Sequence, residues 1–141
     1  LERLSPGKWC IAPVFVTTYL DDGLVREPQV EFPGKFNDSV VAGSPVVIID
    51  DLLDTGTTMG HLVQEFKRGG FAEVSVCVLV DKPSARKNDL IPDFSGLVSD
   101  TDAWLVGFGM DTQKRYRALD AIYILELQPA PPKQQQLTLP E

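Results

Sequence analysis

Two kinds of apolar patterning alternate in the middle of the chain. SPVVIID (44–50) is an unbroken apolar run closed by an acid, the pattern of a strand in a parallel sheet covered on both faces. In TTMGHLVQEFKRGGF (57–71), Met59, Leu62, Val63 and Phe66 recur at i, i+3, i+4 and i+7, which is one face of a helix. Thr57 or Thr58 is placed to cap its start, and Gly69-Gly70 to end it. EVSVCVLVD (73–81) then reads as a second buried strand. Strand, helix and strand within about 35 residues make a βαβ unit, a right-handed crossover in an open α/β sheet.

The flanks are less regular. LERLSPGKW (1–9) reads as the last turn of a helix and a Ser-Pro-Gly turn, and CIAPVFVTTY (10–19) as a strand. Residues 20–44 are rich in Gly, Pro and acids, which predicts a long mobile loop or a loose hairpin. Loops of that length often serve as active-site lids. FSGLVS, WLVGFGM and AIYILEL are short strand candidates, with the polar DTQKRYRALD connecting the last two. The final QPAPPKQQQLTLPE has little to bury and reads as a disordered tail. The expected organisation is one domain over residues 1–127, with a flexible loop at 19–44 and a tail at 128–141.

Composition narrows the function. At 141 residues, 43% hydrophobic and 23% charged, the chain has the make-up of one soluble domain with a single core. A net charge of −7 argues against broad nucleic-acid or anionic-membrane binding, while leaving room for a local cationic pocket for a phosphorylated small molecule. Cys10 and Cys77 are too few for a disulfide framework, and Cys77 reads as a small buried thiol, so a reducing compartment fits. No apolar run approaches the roughly 20 residues that span a bilayer, and the opening residues lack a signal-peptide pattern. The chain begins at Leu1 instead of Met, which is compatible with a processed or truncated amino terminus. A cytoplasmic location is expected, or an organellar one if the terminus is processed.

The chemistry concentrates in DDLLDTGTT (50–58). In an open α/β sheet, ligands sit beyond the carboxyl ends of the strands, and this stretch is at such an end. Gly56 lets the backbone turn sharply and approach an anion. Thr55, Thr57 and Thr58 offer hydroxyls, and the start of the helix offers unpaired N–H groups. The Gly-Lys-Thr/Ser ending of a Walker A loop is absent, as is GxGxxG. A phosphate cradle beside Asp50 and Asp51 suits a ribose phosphate, whose hydroxyls donate to the acids.

VVIIDDLLDTGTTM resembles the phosphoribosyl-pyrophosphate (PRPP) binding motif of type I phosphoribosyltransferases. Asp54, LVDKPSARK and WLVGFGMD are similar to the hypoxanthine-guanine members, from about Val14 to Leu127. The resemblance implies an α/β fold: an open, mainly parallel sheet with flanking helices, amino-terminally truncated, with a small C-terminal base-binding hood. It implies that Asp50 and Asp51 contact ribose and that Asp54, Thr55, Gly56, Thr57 and Thr58 hold the 5′-phosphate. By the same resemblance Asp54 is the candidate proton acceptor near purine N7. Lys82 matches the family's lysine that recognises the 6-oxo group, Trp104 its aromatic residue that stacks on the base, and Leu105 the position of its main-chain contacts. Asp111 lies near the base and magnesium, with Asp50 and Asp51 as further metal candidates. Arg117 reaches pyrophosphate, and Thr18-Tyr19 stand where the family has a Ser-Tyr pair.

The activity so implied is purine salvage: hypoxanthine or guanine plus PRPP gives IMP or GMP plus pyrophosphate, with Mg²⁺, in a homo-oligomer or a subunit of an assembly. Two departures stand beside it. Nothing matches the family's amino-terminal strand and Lys-Gly or Arg-Gly pyrophosphate loop, and residues 19–35 are more acidic and proline-bearing than the family's lid. The alternative is therefore a weak or inactive relative that binds PRPP or a nucleotide as a sensor or subunit. Blander readings also exist for single residues: paired acids as turn formers, Lys82 on the surface, Trp104 in the core, Arg117 on a solvated face, Thr18-Tyr19 as a strand end. His61 is read as structural.

Overall fold

The protein is represented by a computed structural model that describes residue 3 and residues 9–19, 25–31 and 43–126, with the backbone alone at 17–19 and 25–29. The expected helix end in LERL, the remainder of the 20–44 loop and the tail at 128–141 lie outside the described residues, Arg3 excepted. The chain divides into two compact units, Leu1–Asp102 and Ala103–Glu141.

In the first unit, β1 (Phe15–Tyr19) and β2 (Val25–Glu31) pair antiparallel, with an irregularity between Thr17 and Tyr19. This strand pair is the hairpin alternative for part of the 20–44 segment. The predicted strand over 10–19 is shorter than expected, beginning only at Phe15. Next come β3 (Pro45–Leu53), α1 (Thr57–Arg68), β4 (Glu73–Asp81), a 3-10 turn (Pro83–Ala85) and β5 (Phe94–Val98). Strands β3, β4 and β5 form a parallel sheet in that order, and β3 and β4 run in register from Pro45↔Glu73 to Leu53↔Asp81. Both strands therefore end at the same level.

The predicted helix face is the buried one. Met59, Leu62 and Phe66 join Leu53, Val76 and Val78 in the core, with Val46, Ile48 and Val63 packed around them. Each such side chain contributes about 1.5–3 kcal/mol by leaving water. The helix ends in a Schellman motif: Gly70 takes φ +83°, its N–H donates to Lys67 O at 3.2 Å, and the Phe71 N–H donates to Phe66 O at 3.4 Å. The Phe66 and Phe71 rings meet edge to face at 5.2 Å.

Three expectations need correction here. Strand β3 is covered on one face only among the described residues: Val46 and Ile48 pack toward the helix, whereas Ile49 is 62% exposed and Phe94 on β5 61%. An apolar run carries no period, so it marks burial without saying how many layers supply it. Cys77 is half-buried for the same reason, lying on the alternate side of β4 from Val76 and Val78. The helix is capped by neither Thr57 nor Thr58. Its N-cap is Gly56, in the left-handed conformation and without a side-chain cap.

In the second unit, β6 (Trp104–Val106) pairs antiparallel with β7 (Tyr123–Leu125) through Leu105↔Ile124. Leu105, Val106 and Met110 are buried. The connection between the strands is a series of tight turns. Gly107 and Met110 exchange backbone hydrogen bonds of 3.0 Å each, and Thr112 pairs with Arg115 across Gln113-Lys114, both at positive φ. The strand in WLVGFGM is thus shorter than its apolar run, because Gly107 and Gly109 turn the chain at φ near +98°, and β7 takes up only Tyr123–Leu125 of AIYILEL.

No helix among the described residues is long and apolar enough to cross a membrane.

Candidate functional site

In the first unit, β3 delivers Asp50 and Asp51 near its carboxyl end, and the chain then passes through Asp54-Thr55-Gly56 into α1. The Asp51 N–H donates to Asp50 Oδ1 at 2.9 Å. Desolvation pushes the Asp50 carboxyl above the usual carboxylate range, the Asp51 backbone bond pulls it down, and the charge and side chain of Asp51 push it up again. Two carboxylates are held close at a strand end, where they can accept from hydroxyls or face a cation.

The loop is built around Gly56, buried and at φ +79°. A Cβ there would stand 2.6 Å from Arg86 Cδ and closer still to the Asn88 amide, so only glycine fits. The first i to i−4 bond entering the helix is Gly60 N–H to Gly56 O at 2.8 Å, which leaves the N–H groups of Thr57, Thr58 and Met59 leading the helix. The Thr55 hydroxyl lies 3.3 Å from the Thr57 hydroxyl, and the Thr57 N–H donates weakly to it at 3.4 Å. Thr57 is exposed and Thr58 half-buried.

Asp54 and Lys82 are brought together. Their carboxylate and ammonium are 3.6 Å apart, with the lysine side chain 5% exposed and the aspartate 41%. Asp54 Oδ1 is buried without a hydrogen bond, so the exposure of this carboxylate belongs to the rest of the group. The pair sets a carboxylate beside a nearly buried ammonium, and the carboxylate is the more exposed partner.

Three residues without a sequence-derived role hold this loop. Arg86 donates through Nε to Asp54 O at 2.9 Å and through Nη2 to Leu53 O at 3.2 Å; it also donates to Leu90 O and pairs with the Asp81 carboxylate. The Lys87 N–H donates to Thr55 O at 2.9 Å, and Asn88 Nδ2 to Gly56 O at 2.8 Å. The signal available in the sequence was the density of donors in DKPSARKND directly after a buried strand.

The second unit holds the other predicted side chains. Trp104, about half exposed, donates through Nε1 to Asp111 O at 3.0 Å. The Asp111 carboxylate accepts the Lys114 N–H at 2.7 Å and pairs with Arg117 at 2.7 Å; Arg117 also donates to Gly109 O at 2.6 Å. Leu105 is 6% exposed, so its side chain is core and only its backbone is open to a ligand role. Trp104, Asp111 and Arg117 thus form one connected group. Thr18 and Tyr19 lie in β1, Thr18 at the irregular position, with their backbone alone described.

A parallel β-α-β sheet with an anion-ready loop and acids at its carboxyl edge is the arrangement of the type I phosphoribosyltransferase fold. The chain belongs to the phosphoribosyl transferase domain family, whose profile matches residues 16–113. It is 41% identical over 89 residues to the hypoxanthine-guanine phosphoribosyltransferase of Bacillus subtilis, an overlap of 63% of this chain and 49% of that protein. It is 35% identical over 89 residues to the hypoxanthine-guanine phosphoribosyltransferase of Lactococcus lactis, covering 63% and 48%. The crystal structure of a hypoxanthine phosphoribosyltransferase from Staphylococcus aureus superimposes with a TM-score of 0.70 at 28% identity, over 82% of this chain and 61% of that one. The chain therefore spans about half the length of these two curated relatives.

Proposed function

We propose that this chain carries the substrate chemistry of a purine salvage phosphoribosyltransferase, making IMP or GMP and pyrophosphate from hypoxanthine or guanine and PRPP. The observation that carries the reading is the Asp54–Lys82 pair at the mouth of the phosphate loop. A 6-oxopurine presents N7 and O6 side by side on one edge. An ammonium donates to O6 and a neighbouring carboxylate takes the proton from N7, so the 3.6 Å pair is complementary to that edge. Adenine, with an amino group at that position, would meet Lys82 donor to donor.

The remaining roles follow the family resemblance, residue by residue. Asp50 and Asp51 accept from the ribose hydroxyls, while the backbone and hydroxyls of Thr55, Gly56, Thr57 and Thr58 receive the 5′-phosphate. Trp104 offers its half-exposed indole face to a base, worth about 1–3 kcal/mol by analogy with base stacking elsewhere. Leu105 contributes main-chain contacts, Asp111 contacts to base and ion, and Arg117 charge against pyrophosphate. Thr18 and Tyr19 open the catalytic loop. The departing pyrophosphate leaves an oxocarbenium-like ribose carbon, which N9 attacks.

Magnesium is the cofactor this reading implies, and the donor set suits it. Asp50 and Asp51 are adjacent hard oxygen donors, and the desolvation and repulsion that raise the Asp50 carboxyl are what a divalent cation relieves. Asp111 is the further candidate. When bound, the ion supplies positive charge against the leaving pyrophosphate. We place the protein in the cytoplasm, as a homo-oligomer or a subunit of an assembly.

Incubation with magnesium, PRPP and each of hypoxanthine, guanine and xanthine, read as pyrophosphate release, tests the proposal. Release with a 6-oxopurine and none with adenine supports it. Absence of release with every base refutes the enzymatic reading, and GMP or PRPP binding in that case would support a binding relative.

A further inference from the structure

A trans peptide plane carries its C=O and its N–H on opposite edges, so whatever holds a loop's carbonyls decides where its N–H groups point. The carbonyls of Asp54, Thr55 and Gly56 are held by the Arg86 guanidinium, the Lys87 N–H and the Asn88 amide, at 2.9, 2.9 and 2.8 Å. Three consecutive planes are thus held by three consecutive residues, the Gly56 carbonyl being shared with the Gly60 N–H at 2.8 Å. The N–H groups on their far edges belong to Thr55, Gly56 and Thr57, in the stretch assigned above to the phosphate, and the Thr57 N–H makes a weak 3.4 Å contact to the Thr55 hydroxyl.

The holders are themselves fixed. The Asn88 amide has a defined orientation, because Oδ1 accepts the Leu90 N–H at 3.3 Å while Nδ2 donates to Gly56 O. Arg86 bridges both strand ends, donating to Leu53 O on β3 and pairing with Asp81 on β4, with side chains 9% and 12% exposed. Gly56 and Gly60 leave the room that Asn88 fills: a Cβ on Gly60 would come within 3.0 Å of Asn88 Nδ2.

We propose that Arg86 and Asn88 are positioning residues that set the affinity for the 5′-phosphate by holding the loop carbonyls away from it. The inference rests on the ribose-phosphate reading of the loop and deepens it. Their effect falls on the phosphate part of a ligand and spares the base and sugar parts.

The test compares GMP with guanosine by calorimetry, using full-length wild type, Asn88→Ala, Asn88→Asp and Arg86→Lys. Asn88 is exposed as a residue, so its truncation removes its bonds to Gly56 O and from the Leu90 N–H without opening the core, and Asn88→Asp keeps the second while removing the first. Asn88→Ala and Asn88→Asp each lower GMP affinity roughly three- to tenfold, the worth of one lost hydrogen bond, with guanosine affinity unchanged. Arg86→Lys keeps the charge opposite Asp81 but cannot reach all the carbonyls, and lowers the GMP-to-guanosine ratio at least as far. In ¹H–¹⁵N spectra, GMP shifts the amides of Thr55, Gly56 and Thr57 in the wild type and less so in Asn88→Ala. A wild type that binds GMP while the variants keep its ratio, or lose both ligands equally, overturns the positioning role alone. A wild type that GMP leaves untouched overturns the ribose-phosphate reading as well.

Discussion

Replacing Gly56 by alanine tests the construction of the loop most directly. The residue sits at φ +79°, where an L side chain costs roughly 1–2 kcal/mol. The new Cβ would also stand 2.6 Å from Arg86 Cδ and against the Asn88 amide, so one of the two must move. Arg86 is anchored on both strand ends and Asn88 is the freer of the two; swinging out, it gives up its 2.8 Å bond to Gly56 O, worth about 0.5–1.5 kcal/mol. Gly56→Ala is therefore expected to cost about 2–3 kcal/mol, measured as the urea midpoint at constant m. The double variant with Asn88→Ala separates the two causes. If Asn88 is what yields, its truncation costs about 1 kcal/mol less in the Gly56→Ala background than in the wild type. A loss under about 0.5 kcal/mol, or strict additivity of the pair, would refute this account of the loop.

Three more outcomes are expected. Asp50→Asn stabilises the metal-free protein at pH 7 while weakening nucleotide binding: its folded-state pKa lies above the unfolded one, so the ionised carboxylate is a penalty. That penalty grows as pH rises from the ordinary carboxylate range and vanishes below it, so a thermal-shift gain that persists undiminished in acid would contradict the cause. Asp81→Ala strands the nearly buried Arg86 guanidinium and costs about 3–5 kcal/mol in denaturant unfolding; a loss under 1 kcal/mol would mean that solvent reaches the pair. Lys82→Ala impairs use of 6-oxopurines in the pyrophosphate-release assay while sparing PRPP affinity, and equal loss of both would remove its assignment to the base.

The sequence was legible where repetition encodes structure. Helix α1 follows from four apolar positions at helical spacing, and the end of β4 from a run closed by an acid, whereas β3 continues three residues past Asp50 to Leu53. Residues 86–88 leave no such trace, because a guanidinium or amide that satisfies backbone carbonyls needs no periodic neighbours; its partners lie 32 positions away. The helix cap was misread for a related reason. Threonine hydroxyls favour the cap position in general, but here the left-handed turn at Gly56 takes it, and the hydroxyl of Thr55 contacts the first N–H. In the second unit, Phe108, Gln113, Lys114 and Tyr116 all hold positive φ, and only glycines advertise that conformation in a sequence. The grouping of Trp104, Asp111 and Arg117 was for that reason visible through family resemblance and not through local pattern.

Register explains why the two chemically opposite groups meet. Leu53 pairs with Asp81 at the end of β3 and β4, so Asp54 and Lys82 are the next residue on each chain and leave the sheet at the same level. The Lys82 N–H still donates to Leu53 O at 3.0 Å, extending the ladder one step beyond the pair and fixing the lysine backbone beside the loop. Neighbouring strands lie about 4.8 Å apart, which puts a carboxylate and an ammonium on adjacent chains within reach of one another. A slip of one residue would set Asp54 level with Asp81 or with Pro83, giving acid against acid or acid against an uncharged ring, and would turn every inward valine of β4 outward. The hydrophobic alternation at Val76, Val78 and Val80, each no more than 3% exposed, therefore aligns the donor and acceptor proposed to recognise the purine edge.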